Sequence, residues 1–289
     1  MKYTQKAPAK INLSIDVLRK RPDGFHDVIM IMQSIALYDT ITVKPIHGGK
    51  ITVTSDSRHI PEGSSNIAYK AAEFLRHKYN VKDGAEIFIE KNIPVSAGLA
   101  GGSTDAAAVL KLLDKAWKLK LSKTEILEAA KKLGSDVPFC VSGGTALAEG
   151  LGQKLTPLKA MPESYILLAK PDMDISTKEV YEGIDTEKII ERPDIEAMIK
   201  AINEGSLAKI GENLSNVLEY VTVRKCPIIP DIKAKLLEYG ALGSVMSGSG
   251  PTVFGIFDDQ ALAYSAYDHI KHMVNEIFVV KPLTDNWEV

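Results

Sequence analysis

The sequence predicts an α+β fold in two halves, on three observations. Strand-like segments crowd the opening of the chain, helices and strands are mixed after them, and a proline-bearing break at AMPE (160–163) separates stretches of different pattern. At 289 residues the chain exceeds the usual single-domain size, so two domains, 1–160 and 161–289, are expected.

The elements follow in order. KINLSIDVL (10–18), VIMIMQSIAL (28–37), DTITVKPI (39–46) and KITVTSD (50–56) are rich in β-branched residues and bounded by Pro, Gly and Asp, which predicts four strands. SNIAYKAAEFLRHKY (65–79) has helical spacing, and AEIFIEKNI (85–93) alternates as a strand. Helices are expected over 103–119 and 122–133, the second opening on the capping pattern Ser122-x-x-Glu125 and stopping at Gly134. GTALAEGLGQKLTPL (144–158) reads as a hairpin. Beyond the break, YILLAK (165–170) reads as a buried strand and 177–239 as three or four helices. SVMSGSGPTVFGIF (244–257) is a glycine-rich turn entering a strand, 261–274 an amphipathic helix and 276–282 a last strand.

Composition narrows the function. Hydrophobic residues make up 45% and charged residues 25%, as in an ordinary globular protein. A formal net charge of −2 argues against a nucleic acid as the main partner. No apolar run approaches the roughly 18 residues of a membrane span, and the opening MKYTQKAPAKINLSIDV lacks the apolar core of a signal peptide. Cys140 and Cys226 form no C-x-x-C pair and no disulfide framework, so a reducing cytoplasm is the expected location. The helix-face histidines His269 and His272 have no acidic or thiol neighbours and are expected to be surface residues. The basic run LRKRPDG (18–24) is expected at a solvated hairpin tip.

The segment PVSAGLAGGSTDAAAVL (94–110) crowds glycines ahead of a small-residue helix. Such a turn aims free backbone N–H groups and the helix dipole at one point, as an anion site requires; a tight strand-to-helix turn without ligand has the same pattern. Ser103 is the expected N-cap, and Gly101 is expected where a phosphate needs bare backbone. Neither G-x-x-x-x-G-K-[ST] nor G-x-G-x-x-G occurs. In GSDVPF (134–139), Asp136 is a general-base candidate beside this turn, or equally an Asx-turn residue. Lys10, heading its strand, is either a partner that would hold such a carboxylate ionised or a snorkelling strand-end lysine.

Together these motifs resemble the GHMP kinases, the superfamily of galactose, homoserine and mevalonate kinases. PVSAGLAGGSTDAA resembles their ATP loop and SGSGPTVFGIF their C-terminal glycine motif. The opening APAKINLSIDVLRKRPDGFHDVIMIMQSIALYD and the segment GSDVPFCVSGGTALAEGLGQ are similar to the branch that phosphorylates a cytidine diphosphate-bearing polyol in the non-mevalonate isoprenoid route. The resemblance spans nearly the whole chain. It implies a ribosomal S5 domain-2-like N-terminal half that binds ATP and carries the catalytic groups, a ferredoxin-like C-terminal half, and a site between them. It implies Lys10 and Asp136 as the catalytic pair. Pro94, Val95, Ser96, Ala97, Gly98, Leu99, Ala100, Gly101, Gly102, Ser103 and Thr104, with Asn66, would hold ATP; Asn12, Phe25, His26 and Tyr181 would hold the cytidine diphosphate substrate. Phe25 stands where tyrosine is frequent, and Ala97 and Ala100 replace glycines of some relatives. Magnesium is expected with ATP, its ligands unassigned; Asp105 is a candidate that the helix dipole explains equally well. The expected assembly is a monomer or homodimer. A GHMP kinase for another small alcohol, homoserine or mevalonate in type, and a non-catalytic ATP-binding sensor of the same fold are the alternatives.

Overall fold

The computed structural model describes residues 1–284. Its first half is built on two long paired strands, β1 (Tyr3–Lys20) and β2 (His26–Ile46). Then come β3 (Ile51–Ser55), α1 (Ile67–Lys78), β4 (Gly84–Glu90), α2 (Gly101–Trp117), α3 (Lys123–Leu133), α4 (Val137–Ser142), β5 (Thr145–Gly150) and β6 (Lys154–Pro157). The second half runs β7 (Tyr165–Lys170), α5 (Thr177–Gly183), α6 (Ile195–Glu204), α7 (Leu207–Glu212), β8 (Ser215–Asn216), α8 (Glu219–Lys225), α9 (Ile229–Glu238), β9 (Gly243–Met246), β10 (Val253–Phe257), α10 (Gln260–Ile270) and β11 (Glu276–Val280).

The α+β expectation holds in both halves. The first sheet runs β3-β4-β2-β1-β8, with β5 paired to the start of β2 and β6 to β5. The second is antiparallel in the order β11-β7-β10-β9, the ferredoxin-like arrangement, with α10 crossing between β10 and β11. The halves are stitched through the first sheet. Ser14 and Ile15 of β1 pair in parallel with Ser215 and Asn216 of β8. Residues 281–283 lie along β2, where the Ala36 amide donates to the Lys281 carbonyl and the Leu283 amide to that of Ser34, each at 2.9 Å. Apolar residues of β1 and β2 share two core clusters with β7, β10 and the second-half helices, while α1 to α4 close a third cluster with β2, β3 and β4.

Several elements differ from expectation for identifiable reasons. The segments 28–37 and 39–46 form one strand, because the buried Asp39 carboxylate accepts from the amides of Asn92 and Ile93 at 2.7 and 2.8 Å, which lets an acid stand mid-strand. α2 opens at Gly101 rather than at Ser103. Its N-cap is Ala100 in the left-handed region (φ 56°), whose carbonyl accepts the Thr104 amide at 2.9 Å. GSDVPF is not a loop throughout: Pro138 sits in the first turn of α4, and Asp136 is its N-cap position. Five short helices occupy 177–239, and α10 ends at Ile270, short of His272. The capping box at Ser122 and Glu125 is present on both sides.

β1 is buried on both faces. Ile11, Leu13, Ile15 and Val17 are at most 1% exposed, and the interleaved Lys10, Asn12, Ser14 and Asp16 at most 5%. A half-buried strand would leave such polar residues in water; here Lys10 is enclosed with Gly98 and Asp136 and Asp16 is paired with Arg192, so each buried charge on β1 has a protein partner.

Close backbone approach fixes a second joint. A Cβ on Gly243 of β9 would stand 2.2 Å from the Gly211 carbonyl oxygen of α7, and one on Gly211 would stand 2.3 Å from that of Leu242. Gly243→Ala is therefore expected to lower unfolding stability by about 2 kcal/mol or more, since the opposing atoms are backbone and the helix itself must shift. Urea denaturation measures it; a change within about 0.5 kcal/mol, as at an ordinary surface position, overturns the contact.

Candidate active site

A cleft of about 870 Å³ lies between the halves. Its centre is a single acceptor, the carbonyl of Gly98. The Lys10 ammonium donates to it at 2.9 Å and the Ser247 hydroxyl at 3.0 Å, while the Lys10 amide bonds to the Leu99 carbonyl at 3.2 Å. Strand β1, the 94–104 loop and the 247–250 turn thus meet at one peptide. Lys10 also donates to Asn12 Oδ1 at 2.6 Å and stands 3.7 Å from Asp136 Oδ2. The lysine is mid-strand and 4% exposed, not a snorkelling strand end. Asp136 is not an Asx cap either: its side chain makes no capping bond, and its carboxylate is partly open to the cleft.

The glycine loop has two jobs. Gly98 (φ +74°) is needed for close approach, because a Cβ there would lie 2.1 Å from the Ser247 carbonyl oxygen. The amides of Gly101, Gly102 and Ser103 precede the first intrahelical bond of α2, and all three residues line the cleft. They form an N-terminal donor set at the positive end of a 17-residue helix, suited to an anion. Gly101 corrects the sequence reading. A Cβ on it would point into the protein, 2.7 Å from Lys91 Nζ and 3.2 Å from Ile93 Cγ2, not toward a ligand. Gly102 is the spacious position, with Ile67 Cγ2 at 3.5 Å. Pro94, Val95, Ser96, Ala97, Leu99 and Ala100 line the cleft as well; Thr104 does not, being fully buried with its amide in the helix ladder. Asn66 lines it, but its side chain is already engaged, accepting from the Ala68 amide at 2.8 Å and donating to the Pro61 carbonyl at 2.9 Å as the N-cap of α1.

The far end is aromatic. Phe25, 61% exposed, His26 and Tyr181 all line the cleft. The His26 and Tyr181 rings lie 5.6 Å apart at 38°. Burial, and then Lys20, lower the His26 pKa, so the imidazole is neutral at neutral pH. Burial and then the Asp136 carboxylate raise that of the Tyr181 phenol. Basic residues of LRKRPDG are tied down locally: Arg21 bridges Asp23 and Asp27, and Arg19 pairs with Asp27.

Sequence reasoning missed the support beneath the loop. Lys91 is buried between Asp39 of β2 and Asp105 of α2, bonded to both, with Asp105 Oδ2 at 3.0 Å. Burial disfavours the Lys91 ammonium, but the two carboxylates outweigh it and hold its pKa above the ordinary value. Burial and the nearby Asp39 raise the Asp105 carboxyl against the pull of Lys91. Asp105 is thus occupied as a loop anchor, and its remaining oxygen is sealed from solvent. Among the described residues no cluster of three or more His, Cys, Asp or Glu suits a metal ion. A magnesium ion fits this site only as one carried by phosphate oxygens and water, with the Ser103 hydroxyl as the protein oxygen at hand. Cys140 is buried beneath the site, where desolvation, and then Asp136, push its thiol pKa up, away from nucleophilic chemistry.

The sequence profile of the GHMP kinases N terminal domain matches residues 66–144, and that of GHMP kinases C terminal matches 198–275. A 4-diphosphocytidyl-2-C-methyl-D-erythritol kinase of Caldicellulosiruptor bescii is 52% identical over 274 residues, 95% of this chain and 96% of its own. One of the same name from Alkaliphilus oremlandii is 49% identical over 98% of both chains. Among solved structures, a 4-(cytidine 5'-diphospho)-2C-methyl-D-erythritol kinase superposes with a TM-score of 0.81 at 29% identity, covering 97% of this chain and 99% of that one. The homoserine kinase of Cytophaga hutchinsonii reaches 0.78 at 18% identity, covering 99% and 95%, a likeness of fold.

The glycines separate by role in a thermal-stability and ligand-binding series. Gly98→Ala and Gly101→Ala are expected to lower Tm by several degrees, the first by parting the two loops and the second by displacing Lys91. Gly102→Ala is expected to leave Tm within about 2 °C, as a ΔΔG near zero implies. Equal Tm for all three variants overturns this division.

Proposed function

The chain belongs to the GHMP kinases, and from that premise we propose that it transfers the γ-phosphoryl group of ATP to the 2-hydroxyl of 4-diphosphocytidyl-2-C-methyl-D-erythritol. One observation carries the reading. The Lys10–Asp136 pair stands in a single cleft, with helix-terminal amides on one side and the Phe25, His26 and Tyr181 rings on the other. A donor rich in phosphate and an acceptor bearing a nucleobase suit those two ends.

In this proposal Asp136 accepts the proton of the acceptor hydroxyl as its oxygen bonds to the γ-phosphorus; the bond from that phosphorus to the bridging oxygen breaks, and ADP leaves. Lys10, held by Asn12 and the Gly98 carbonyl, stands 3.7 Å from the Asp136 carboxylate and offers positive charge beside the reacting oxygen. The amides of Gly101, Gly102 and Ser103 receive phosphate oxygens. Magnesium, carried in with the phosphates, would neutralise charge on the transferred group; Ser103 would hold it on the protein side. Such transfer gains chiefly from positioning and charge stabilisation, which is what a rigid donor set and an anchored lysine supply. The aromatic end supplies binding energy remote from the chemistry, which fixes the hydroxyl against Asp136. The full-length likeness near half identity accompanies the cytidine-bearing acceptor, whereas that to the homoserine kinase is of fold. The domain division 1–160 and 161–289 goes with this reading, the first half supplying the catalytic pair and loop and the second Tyr181.

The test is a coupled ADP-release assay. The cytidine-bearing substrate is expected to be turned over with far higher kcat/KM than 2-C-methyl-D-erythritol 4-phosphate; comparable values overturn cytidine recognition. Asp136→Asn is expected to reduce kcat by roughly 10²-fold or more with little change in either KM, and near-normal turnover removes Asp136 from the mechanism. Tyr181→Ala is expected to weaken the cytidine-bearing substrate by about ten- to a hundredfold, a stacked base being worth about 1–3 kcal/mol, and to leave ATP affinity unchanged.

A further inference from the structure

Tyr181 is carried by a helix that does little to hold itself. α5 has seven residues, of which only Val180 is buried, and its last residue leads into a strap, residues 184–194, with a single 3₁₀ turn at Thr186–Lys188. At the head of the helix, Thr177 meets the Ser249 hydroxyl at 2.9 Å; behind it, the Glu191 amide donates to the Tyr220 hydroxyl at 3.3 Å and Arg192 ties the strap to the first half. Arg192 donates to the Thr186 carbonyl at 2.8 Å, to Asp16 Oδ1 at 2.6 Å and to the Val17 carbonyl at 3.2 Å. A single guanidinium therefore joins the strap to strand β1, on which Asp16 continues the buried polar row of Lys10 and Asn12. The Asp16 side chain is 7% exposed, and that of Arg192 39%. A carboxylate so far buried is costly unless paired, and the pair is closed by a planar fork whose Nη1 serves Asp16 and Val17 of β1 while its Nη2 serves Thr186 of the strap, a fixed spacing that the single nitrogen of an ammonium does not reproduce.

We propose that Arg192, through Asp16, is a positioning residue that holds the strap and α5 in register with β1, and so sets the Tyr181 ring against His26 for the nucleobase of the acceptor. The inference rests on the cytidine-bearing acceptor proposed above. Arg192 lies outside the cleft lining and touches no reacting group; it acts through the placement of Tyr181.

Steady-state kinetics on Arg192→Ala, with Arg192→Lys as the milder variant, test it. Arg192→Ala is expected to raise KM for the cytidine-bearing substrate about five- to tenfold, with kcat and KM for ATP within about twofold, and Arg192→Lys to fall between it and the parent. In a Tyr181→Ala background the same change is expected to add less than twofold, because the ring it positions is gone. Full additivity of the two changes, or equal losses in ATP affinity and kcat, overturns the proposal. A second readout needs no substrate: the His26 titration followed by NMR in the unliganded protein. Release of Tyr181 opens the His26 ring to water, so its pKa is expected to rise in Arg192→Ala toward the ordinary value; an unchanged titration overturns the staple. Loss of cytidine discrimination in the parent protein with a shifted His26 titration in the variant would sink the substrate assignment while leaving the staple standing.

Discussion

The Gly98 carbonyl is the constraint on which the site depends. It accepts from Lys10 of the first strand and from Ser247 of the second half, at a point where no side chain fits. A lysine this buried survives only with fixed acceptors, and each acceptor here is supplied by a different segment: Asn12 by the strand, Gly98 by the loop, Asp136 by the start of α4. Moving any one of them changes the surroundings of the ammonium beside the base. The glycine at 98 is thus a requirement of assembly first, and of ligand approach only through the neighbouring amides.

The same logic runs along β1. Two faces of one strand are removed from water, one by apolar clusters and the other by polar partners drawn from far along the chain. Asn216 extends it: its amide donates to the carbonyls of Met246 and Gly248, at 2.7 and 2.8 Å, while its own carbonyl oxygen accepts from Leu218. The residue that pairs β8 with β1 therefore also shapes the turn that rests on Gly98. Beneath the loop, Lys91 does the equivalent work between β2 and α2. Stiffness at the phosphate end comes from buried charge, whereas the nucleobase end leans on a short helix held by Thr177, the Glu179–Lys225 pair and Arg192.

Much of this was legible in the sequence, and the rest was not for physical reasons. Alternation and turn residues locate the strands, and the capping box at Ser122 locates α3. The glycine crowding at 98–102 lies along the cleft, but the room left at Gly101 faces Lys91 rather than a ligand, because what a missing Cβ makes room for is a tertiary question. Asp39 hides the continuity of β2, since an acid mid-strand is read as a break unless its amide partners at 92 and 93 are known. The two-residue β8 carries no periodicity at all. Phe25, His26 and Tyr181 are gathered only by the family resemblance; Lys91 and Arg192, whose partners are distant in sequence, carry no local signal.

The pairing of β1 with β8, and of β2 with residues 281–283, also bears on how the protein is made. Gln33 finds the Leu283 carbonyl across 250 residues, at 2.8 Å. During synthesis the two longest strands leave the ribosome early and wait for some of their partners, β8 and residues 281–283, which lie as far as 250 residues further along the chain. At about 5–20 residues per second that interval is on the order of ten seconds or more, a window in which β1 and β2 offer hydrogen-bonding edges and buried-type side chains to any neighbour. The nascent chain of this kinase is accordingly expected to lean on chaperones until β8 and residues 281–283 arrive.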